Sequence, residues 1–204
     1  MGHEQAGAQP ALHPLLRERR SSRSFDATHA LGESTLTSLL EAARWAPSAG
    51  NSQPWSFVVA LRGDPAHRRM MPLLSRGTAS WAPAASALLL TLHRIGHDED
   101  PGMTFSDYAA YDLGQAVASL TVQAQALGLQ VHQFAGFDHA GMAAEFAVPP
   151  SWSVTTVLAI GQAPAHVDHA EGADGSHTRE SAPRERKELV EFVFSERYGV
   201  PRWP

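Results

Sequence analysis

Hydrophobic residues recur along the chain in blocks that alternate between helical and extended spacing. Over 34–46 the apolar positions fall at intervals of three and four, which predicts an amphipathic helix that ends before Pro47. The same spacing and the capping residues predict further helices over 64–76, 104–127, 138–147 and 184–195. Short runs rich in β-branched and other apolar residues predict strands over 55–61, 86–92, 129–135 and 154–160.

The alternation of these elements indicates an α/β or α+β domain around one central sheet. We find no internal repeat and expect a single domain over 11–204. Residues 1–10 are predicted to form a flexible N-terminal arm. Residues 163–183 are rich in Gly, Ala, Asp and His and are predicted to form an exposed loop.

Composition excludes several functional classes. The 204-residue chain contains no cysteine, which removes disulfides, thiolate-ligated metals and a thiol nucleophile. Its 16 basic and 21 acidic residues give a net charge of −5, whereas a general nucleic-acid-binding protein has a basic surplus. The N-terminus lacks the continuous apolar segment of a signal peptide, and no apolar run approaches a membrane span. These features predict a soluble, cytoplasmic protein.

The common motifs of catalysis and metal binding are absent. The sequence has no Gly-rich dinucleotide fingerprint, phosphate-binding loop, nucleophile elbow or zinc-protease motif, so we expect no side chain to act as nucleophile, acid or base. His166, Asp168, His169 and His177 are close in sequence, but we interpret them as a solvated loop and predict no metal site. His132 falls on a predicted strand and is interpreted as a packed or surface histidine.

A cluster of basic and hydroxyl residues follows a short predicted helix near the N-terminus. Arg19, Arg20, Ser21, Ser22 and Arg23 bring three guanidinium groups and two hydroxyls into five residues. Such donors suit a phosphate monoester or the anionic edge of a ring. A basic helix end that merely faces water is the alternative.

A polar turn joins the predicted helix over 34–46 directly to the strand over 55–61. This turn, Pro47–Pro54, offers the hydroxyl of Ser48 and the amides of Asn51 and Gln53. Amide groups both donate and accept hydrogen bonds, and therefore suit the polar edge of a heterocycle. A plain rigid connection is the alternative.

Together these segments resemble the FMN-dependent nitroreductase family. The resemblance rests on RRSSRSFD at 19–26, on APSAGNSQPWSFVVA at 46–60, and on LGL at 127–129 followed by GFD at 136–138. A strand that ends in Gly161 and a basic-x-basic pair at 184–186 complete the order. The resemblance covers about residues 13 to 198.

The resemblance implies which residues hold the cofactor. It implies that the basic run, Arg19, Arg20, Ser21 and Arg23, contacts the phosphate, ribityl chain and pyrimidine edge of FMN, and that Arg184 and Arg186 complete the phosphate site. It implies that the polar turn reaches the flavin from the partner subunit through Pro47, Ser48, Ala49, Asn51 and Gln53. The backbone of Ala135 and Gly136 is expected to approach flavin N5.

The resemblance also implies the fold and the activity. The expected fold is α+β, with a central, mostly antiparallel sheet flanked by helices, in an obligate homodimer with FMN at the interface. The expected activity is hydride transfer from NADPH or NADH through FMN to a nitroaromatic, quinone or related acceptor by a ping-pong mechanism. Alternatives are a reductive dehalogenase, an enone-type reductase, a flavin-fragmenting enzyme or a non-catalytic flavin-binding protein.

The sequence departs from the family pattern at two places. Some members have Glu where this chain has Ala135, so only the backbone part of that contact carries over. The connection between Leu92 and Thr104 is short, whereas larger members insert helices there that cover the flavin. A more open pocket is therefore expected.

Overall fold

A computed structural model of the chain describes residues 11–100, 102–165 and 183–203. The chain divides into two compact units, Met1–Asp168 and His169–Pro204, and each is described by itself. The N-terminal arm over 1–10 and most of the loop over 163–183, including its four candidate metal ligands, lie outside the described residues.

The helices and strands of the first unit follow the predicted order. The helices are α1 (Pro14–Glu18), α2 (Glu33–Arg44), α3 (Pro65–Met70), α4 (Arg76–Ala79), α5 (Ala109–Ala126) and α6 (His139–Glu145). The strands are β1 (Trp55–Leu61), β2 (Ala87–Arg94), β3 (Gln130–Phe134) and β4 (Trp152–Gly161). Short 3₁₀ turns lie at Ala49–Asn51, Met71–Leu73 and Ala82–Ala84.

The four strands form one sheet in the order β1-β2-β4-β3, and every neighbouring pair is antiparallel. The predicted α+β fold with an antiparallel central sheet is therefore confirmed. The sheet leaves β1 and β3 as its two edges, so a segment beside β1 lies about 14 Å across the sheet from a segment beside β3, at three strand spacings.

Alternate residues of the strands pack into two separate hydrophobic cores, one on each face of the sheet. On one face Leu89 and Leu158 pack with the apolar sides of α2 and α5. On the other face Leu88 and Leu90 pack with α3, α6 and the segment around Trp81. Within the described residues, no helix is long and apolar enough to span a membrane.

Two of the predicted helices differ from the observed ones. The segment 64–76 breaks into α3 and a 3₁₀ turn because Pro72 has no N–H for a continued helix. The long helix begins at Ala109 rather than at residue 104. Phe105 instead donates its N–H to the Ile95 carbonyl (3.0 Å), and the Arg94 guanidinium lies over its ring at 4.7 Å from the centroid.

The second unit, described over 183–203, shows that the helix predicted over 184–195 is wrong. Only the 3₁₀ turn Leu189–Glu191 forms, between the capping residues Glu188 and Glu191. The chain then reverses, with a bridge between Phe194 and Pro201 and a ring contact between Phe194 and Tyr198 at 4.7 Å. Leu189, Val190 and Phe192, which suggested a helix face, are exposed in the described residues of this unit.

Candidate functional site

The basic run lies along the edge strand β3 and is fastened to it by His132. The Nδ1 atom of His132 lies 2.9 Å from the Ser21 carbonyl oxygen and 3.1 Å from that of Ser22. Because both partners are acceptors, Nδ1 must carry the hydrogen. Further along, Asp26 donates its N–H to the carbonyl of Gln162 (2.9 Å), which joins the segment to the residue that follows β4.

Four side chains surround the nearly buried indole of Trp81. The His132 ring lies 4.6 Å and the Phe134 ring 5.2 Å from the indole centroid, and Phe25 stacks at 6.3 Å. The guanidinium carbon of Arg23 lies 5.8 Å from the same ring, within the range of a cation–π contact. Trp81 therefore joins the basic run to β3.

The residues of the basic run divide into inward and outward positions. Ser22 is buried, and its hydroxyl donates to the Ser24 carbonyl (3.2 Å) and accepts from the Ser24 N–H (3.0 Å). Arg20, Ser21 and Arg23 are exposed, and the half-buried Arg19 donates to the Ser21 hydroxyl at 3.3 Å. The four residues that the sequence selected are thus the outward ones.

The Ala135–Gly136 segment follows β3 directly and is held by its two carbonyl groups. The Ala135 carbonyl accepts from the Phe137 N–H (3.0 Å) and lies 3.3 Å from His139 Nε2. The Gly136 carbonyl accepts from the Ser75 N–H at 2.9 Å and from the Thr78 hydroxyl at 2.5 Å. The Ala135 contacts fix the peptide between Ala135 and Gly136, and the Gly136 contacts fix the peptide between Gly136 and Phe137.

Gly136 has no room for a side chain. A Cβ atom there would lie 2.8 Å from the Thr78 methyl and 2.9 Å from the Ser75 hydroxyl. The same helix region carries Trp81 three residues after Thr78. The structure therefore holds the basic run against β3 at His132, and Ala135 and Gly136 follow directly at the end of the same strand.

The polar turn adopts an irregular backbone. Gly50, Asn51 and Gln53 all have positive φ angles, of 58°, 54° and 49°. Two of these are not glycine, which is uncommon and costs backbone energy. Gln53 donates its N–H to the Ser48 hydroxyl (3.0 Å), and its side-chain amide lies 3.3 Å from the Asn51 carbonyl and amide oxygens. Pro47, Ala49, Asn51 and Gln53 are exposed, and Ser48 is half-buried.

A buried carboxylate fastens this turn to α5. Asp112 is 2% exposed, and its Oδ2 accepts the backbone N–H of Ala49 at 3.0 Å. The Ala49 carbonyl meanwhile accepts from Ser52. Both backbone polar groups of Ala49 are thus hydrogen-bonded within the chain.

Within the described part of the single chain, the polar turn and the basic run lie at opposite edges of the sheet. The turn leads directly into β1, whereas the run lies against β3, and these strands are the opposite edges of the sheet. Arg184 and Arg186 lie in the second unit and are exposed there.

The sequence analysis assigned no positioning role to four side chains that hold this region: Trp81, His132, Asp112 and Thr78. The alternation of β3 placed His132 on a face with Phe134, but the partners that give the ring its role come from residues about 110 positions away.

A second serine–histidine contact, between Ser86 and His29, has a structural role. The Ser86 hydroxyl donates to the His29 carbonyl (2.9 Å), so it accepts from the His29 ring (2.8 Å). Across the described part of the chain, no group of three metal-ligating side chains is present.

Comparisons with known proteins agree with this geometry. Residues 16–92 match the nitroreductase family, a span that contains the basic run and the polar turn. A putative NADH dehydrogenase/NAD(P)H nitroreductase of Streptomyces coelicolor is 31% identical over 165 residues, which cover 72% of this chain and 80% of that protein. This chain belongs to the nitroreductase family.

Two further proteins and one solved structure are also similar to this chain. A 15.4 kDa protein of Mycolicibacterium smegmatis is 38% identical over 154 residues, covering 71% of this chain and 98% of that protein. A 5,6-dimethylbenzimidazole synthase of Rhodospirillum rubrum is 29% identical over 171 residues, covering 74% and 81%. The crystal structure of an FMN-containing oxidoreductase superposes with a TM-score of 0.85 at 30% identity, over 98% of this chain and all of that one.

This nitroreductase-family chain carries a short connection between β2 and α5. Residues 95–108, of which residue 101 is not described, contain no helix. The connection is held down by Asp98, which accepts from Arg94 (3.1 Å) and from the Ser151 hydroxyl (2.6 Å). The expected short connection is therefore seen, without a helix in its described part.

Proposed function

We propose that this protein is an FMN-dependent oxidoreductase that transfers hydride from NADPH or NADH to an electron-poor acceptor such as a nitroaromatic or a quinone. Bound FMN would supply the redox chemistry, and this chain's residues would bind it and orient it so that the nicotinamide and the acceptor use one site in turn, in a ping-pong mechanism. The observation that carries the proposal is that one strand, β3, holds the basic run through His132 and leads directly into the fixed Gly136 backbone, within a chain of this family.

The donor set at this edge fits FMN. Three guanidinium groups and the Ser21 hydroxyl are the groups that bind a phosphate monoester and a polyol chain. The Gly136 backbone is fixed through its carbonyl, and the absence of a Cβ lets it pack directly against Ser75 and Thr78, which holds the end of β3 in one place. A phosphate-bearing ring system satisfies both features at once.

Arg23 is proposed to balance charge on the flavin. Its guanidinium carbon lies 5.8 Å from the centroid of the Trp81 ring, at an exposed position of the basic run. A permanent cation near the pyrimidine edge stabilises negative charge that develops there on reduction. The Gly136 peptide and Arg23 would then orient the ring and tune its potential, and no side chain would need to act as nucleophile, acid or base.

We propose that two copies of the chain complete each site. The polar turn and the basic run lie at opposite sheet edges, about 14 Å apart by strand spacing, so a partner subunit is the natural source of the turn. Large apolar side chains near the turn are exposed: Trp45 (76%), Tyr108 (62%) and Tyr111 (68%). Such a patch is typical of a protein–protein interface.

Contacts with neighbouring side chains fix the orientation of the exposed Trp45 ring. Its indole N–H donates to Glu41 Oε1 at 2.8 Å, and Arg44 lies over its ring at 5.7 Å. Hydrogen bonds from Arg44 and Trp45 lower the pKa of Glu41 to about 2, so the cluster stays charged at neutral pH. An aromatic side chain whose rotamer is already fixed loses little entropy on association.

The cytoplasmic location of the protein remains a prediction from its sequence.

The test is the absorbance spectrum of the purified protein before and after anaerobic addition of NADPH or NADH. A flavin band that bleaches with either nucleotide, and recovers with a nitroaromatic or a quinone, supports the proposal. Colourless protein whose thermal stability does not increase with added FMN contradicts it. A flavin band that neither nucleotide bleaches indicates a flavin-binding protein without this activity.

A second activity is suggested by the synthase relative. 5,6-Dimethylbenzimidazole carries the same dimethyl-substituted benzene ring as a flavin, and that relative is 29% identical over most of both chains. A flavin-fragmenting reaction would consume FMN slowly in the presence of oxygen and release a benzimidazole. Product analysis of an aerobic incubation with excess reduced FMN therefore separates it from steady turnover of an acceptor.

A further inference from the structure

We propose that His132 is a positioning residue for the cofactor, one that sets the place of the basic run through the Ser21 and Ser22 carbonyls. The proposal rests on the proposed function, since it concerns how the phosphate-binding run is held. It gives a role to a residue that lies outside the family signatures and that the sequence analysis interpreted only as a packed or surface histidine.

The first step of the argument is the geometry of the His132 ring. A single Nδ1–H faces two consecutive carbonyl oxygens, at 2.9 Å from Ser21 and 3.1 Å from Ser22. These two residues occupy the centre of the run, with Arg19 and Arg20 before them and Arg23 after them. A donor in this place fixes the backbone from which all three guanidinium groups extend.

The second step is that the run has little regular structure of its own. The helix α1 ends at Glu18, and 19–26 form neither helix nor strand. The position of the run in space therefore depends on contacts to the sheet edge. Residues 21 and 22 make that contact with a side chain of β3, and Asp26 makes it with the backbone beyond β4.

The third step is that the His132 ring is itself held. The indole of Trp81 packs against it at 4.6 Å, and Arg23 packs against the same indole. The strand that carries His132 continues within three residues into Ala135 and Gly136. One histidine thus couples the phosphate end of the proposed site to the peptide proposed to meet the ring.

The structure offers variants that separate the donor from the stacking. In His132→Asn the side-chain amide can place an N–H close to the Nδ1 position, whereas the contact with Trp81 is lost. In His132→Gln the amide lies one bond further out and misses both carbonyls. In His132→Phe the ring contact with Trp81 remains and the donor is gone. Gln133→Asn, at an exposed position on the same strand, is the control.

The readout is the affinity for FMN and for riboflavin, measured on the full-length protein by quenching of flavin fluorescence. The ratio of the two affinities isolates the phosphate. We expect this ratio to fall about tenfold in His132→Phe and His132→Gln, since the lost hydrogen bond releases the run. It should stay within about threefold of wild type in His132→Asn and Gln133→Asn.

Three results would overturn the proposal. An unchanged ratio in both His132→Phe and His132→Gln means that the ring does not set the run. An equal loss of FMN and riboflavin binding means that His132 acts on the whole fold. A loss in His132→Asn as large as in His132→Phe means that the stacking, and not the donor, matters.

Failure of the proposed function gives a different result. In that case wild-type protein binds neither FMN nor riboflavin, and no comparison among variants arises. Thermal unfolding of each variant without ligand shows whether it is folded. If His132→Phe does not fold, His132→Gln supplies the same comparison with a polar side chain.

Discussion

The backbone N–H of Ala49 donates to the buried carboxylate of Asp112 across 3.0 Å, and this contact joins the polar turn to the first turn of α5. The turn holds two non-glycine residues, Asn51 and Gln53, at positive φ, so it needs outside contacts to keep its shape. Burying a carboxylate that is only 2% exposed costs desolvation free energy unless hydrogen bonds compensate for it. The contact therefore has consequences for both stability and ligand binding.

Replacing Asp112 with Ala is expected to lower the free energy of unfolding by about 2 kcal/mol, because it leaves the Ala49 N–H without its charged acceptor. We also expect a several-fold loss of FMN affinity. Chemical denaturation and fluorescence titration measure the two effects. Asp107→Ala removes the same charge from an exposed position and serves as the control. FMN affinity equal to wild type in Asp112→Ala would show that the turn does not contact the cofactor.

Gly136→Ala is expected to weaken FMN binding by about tenfold and to lower stability by about 1–3 kcal/mol. The new Cβ would lie 2.8 Å from the Thr78 methyl and 2.9 Å from the Ser75 hydroxyl, so the peptide must shift. Gly77→Ala, in the neighbouring helix α4, meets no atom within 4 Å and should be close to neutral. Titration and thermal unfolding of the two variants distinguish a local collision from a general intolerance of alanine.

Arg23→Gln is expected to make the midpoint potential of the bound flavin more negative, by on the order of 30 mV, because a cation that favours the reduced form is removed. Anaerobic spectroelectrochemistry measures the potential directly. Arg17→Gln removes an exposed arginine of α1 and should leave the potential unchanged. An unaltered potential and turnover in Arg23→Gln would refute the role proposed for this residue.

Stability is expected to rise with pH between about pH 5 and pH 7. Burial lowers the pKa of His67 and of His93 below their ordinary value of 6.5. The unfolded chain therefore binds more protons than the folded one just below that value, so stability is fully present above it and falls as the pH is lowered.

Thermal unfolding of the ligand-free protein over this range checks the trend. His67→Gln and His93→Gln should each flatten it, whereas His13→Gln, at an exposed position, should leave the slope unchanged. A wild-type protein whose stability is constant from pH 5 to pH 7 would contradict the expectation.

Tyr111→Glu is expected to convert a dimer to monomers, because a charge would be placed in the exposed aromatic patch beside the polar turn. Sedimentation velocity measures the mass. Ala140→Glu on α6, which packs on the opposite face of the sheet from α5, is the matched control. Wild-type protein that sediments as a monomer at micromolar concentration would refute the two-subunit site.

The sequence by itself determined the order of the main elements of the first unit and proposed the residues of the site. The apolar run over 55–61 placed β1 at its observed bounds, and helical periodicity placed α2 within two residues of its bounds. α2 buries one face, whereas β1 contributes apolar side chains to both cores. The family signatures selected Arg19, Arg20, Ser21 and Arg23, which are the outward positions of the run. Local signals failed where distant contacts decide the backbone: Phe105 packs on Ile95 and Arg94, and the residues after 188 fold back on themselves.

Only the tertiary structure decided what holds the site. His132 meets Ser21, Trp81 meets Arg23, and Asp112 meets Ala49 across sequence separations of roughly 60 to 110 residues. No spacing rule encodes such pairs, because they arise from the order of strands in the sheet and from the packing of its two faces. The same order places the polar turn and the basic run at opposite edges, which is why a second subunit enters the proposal.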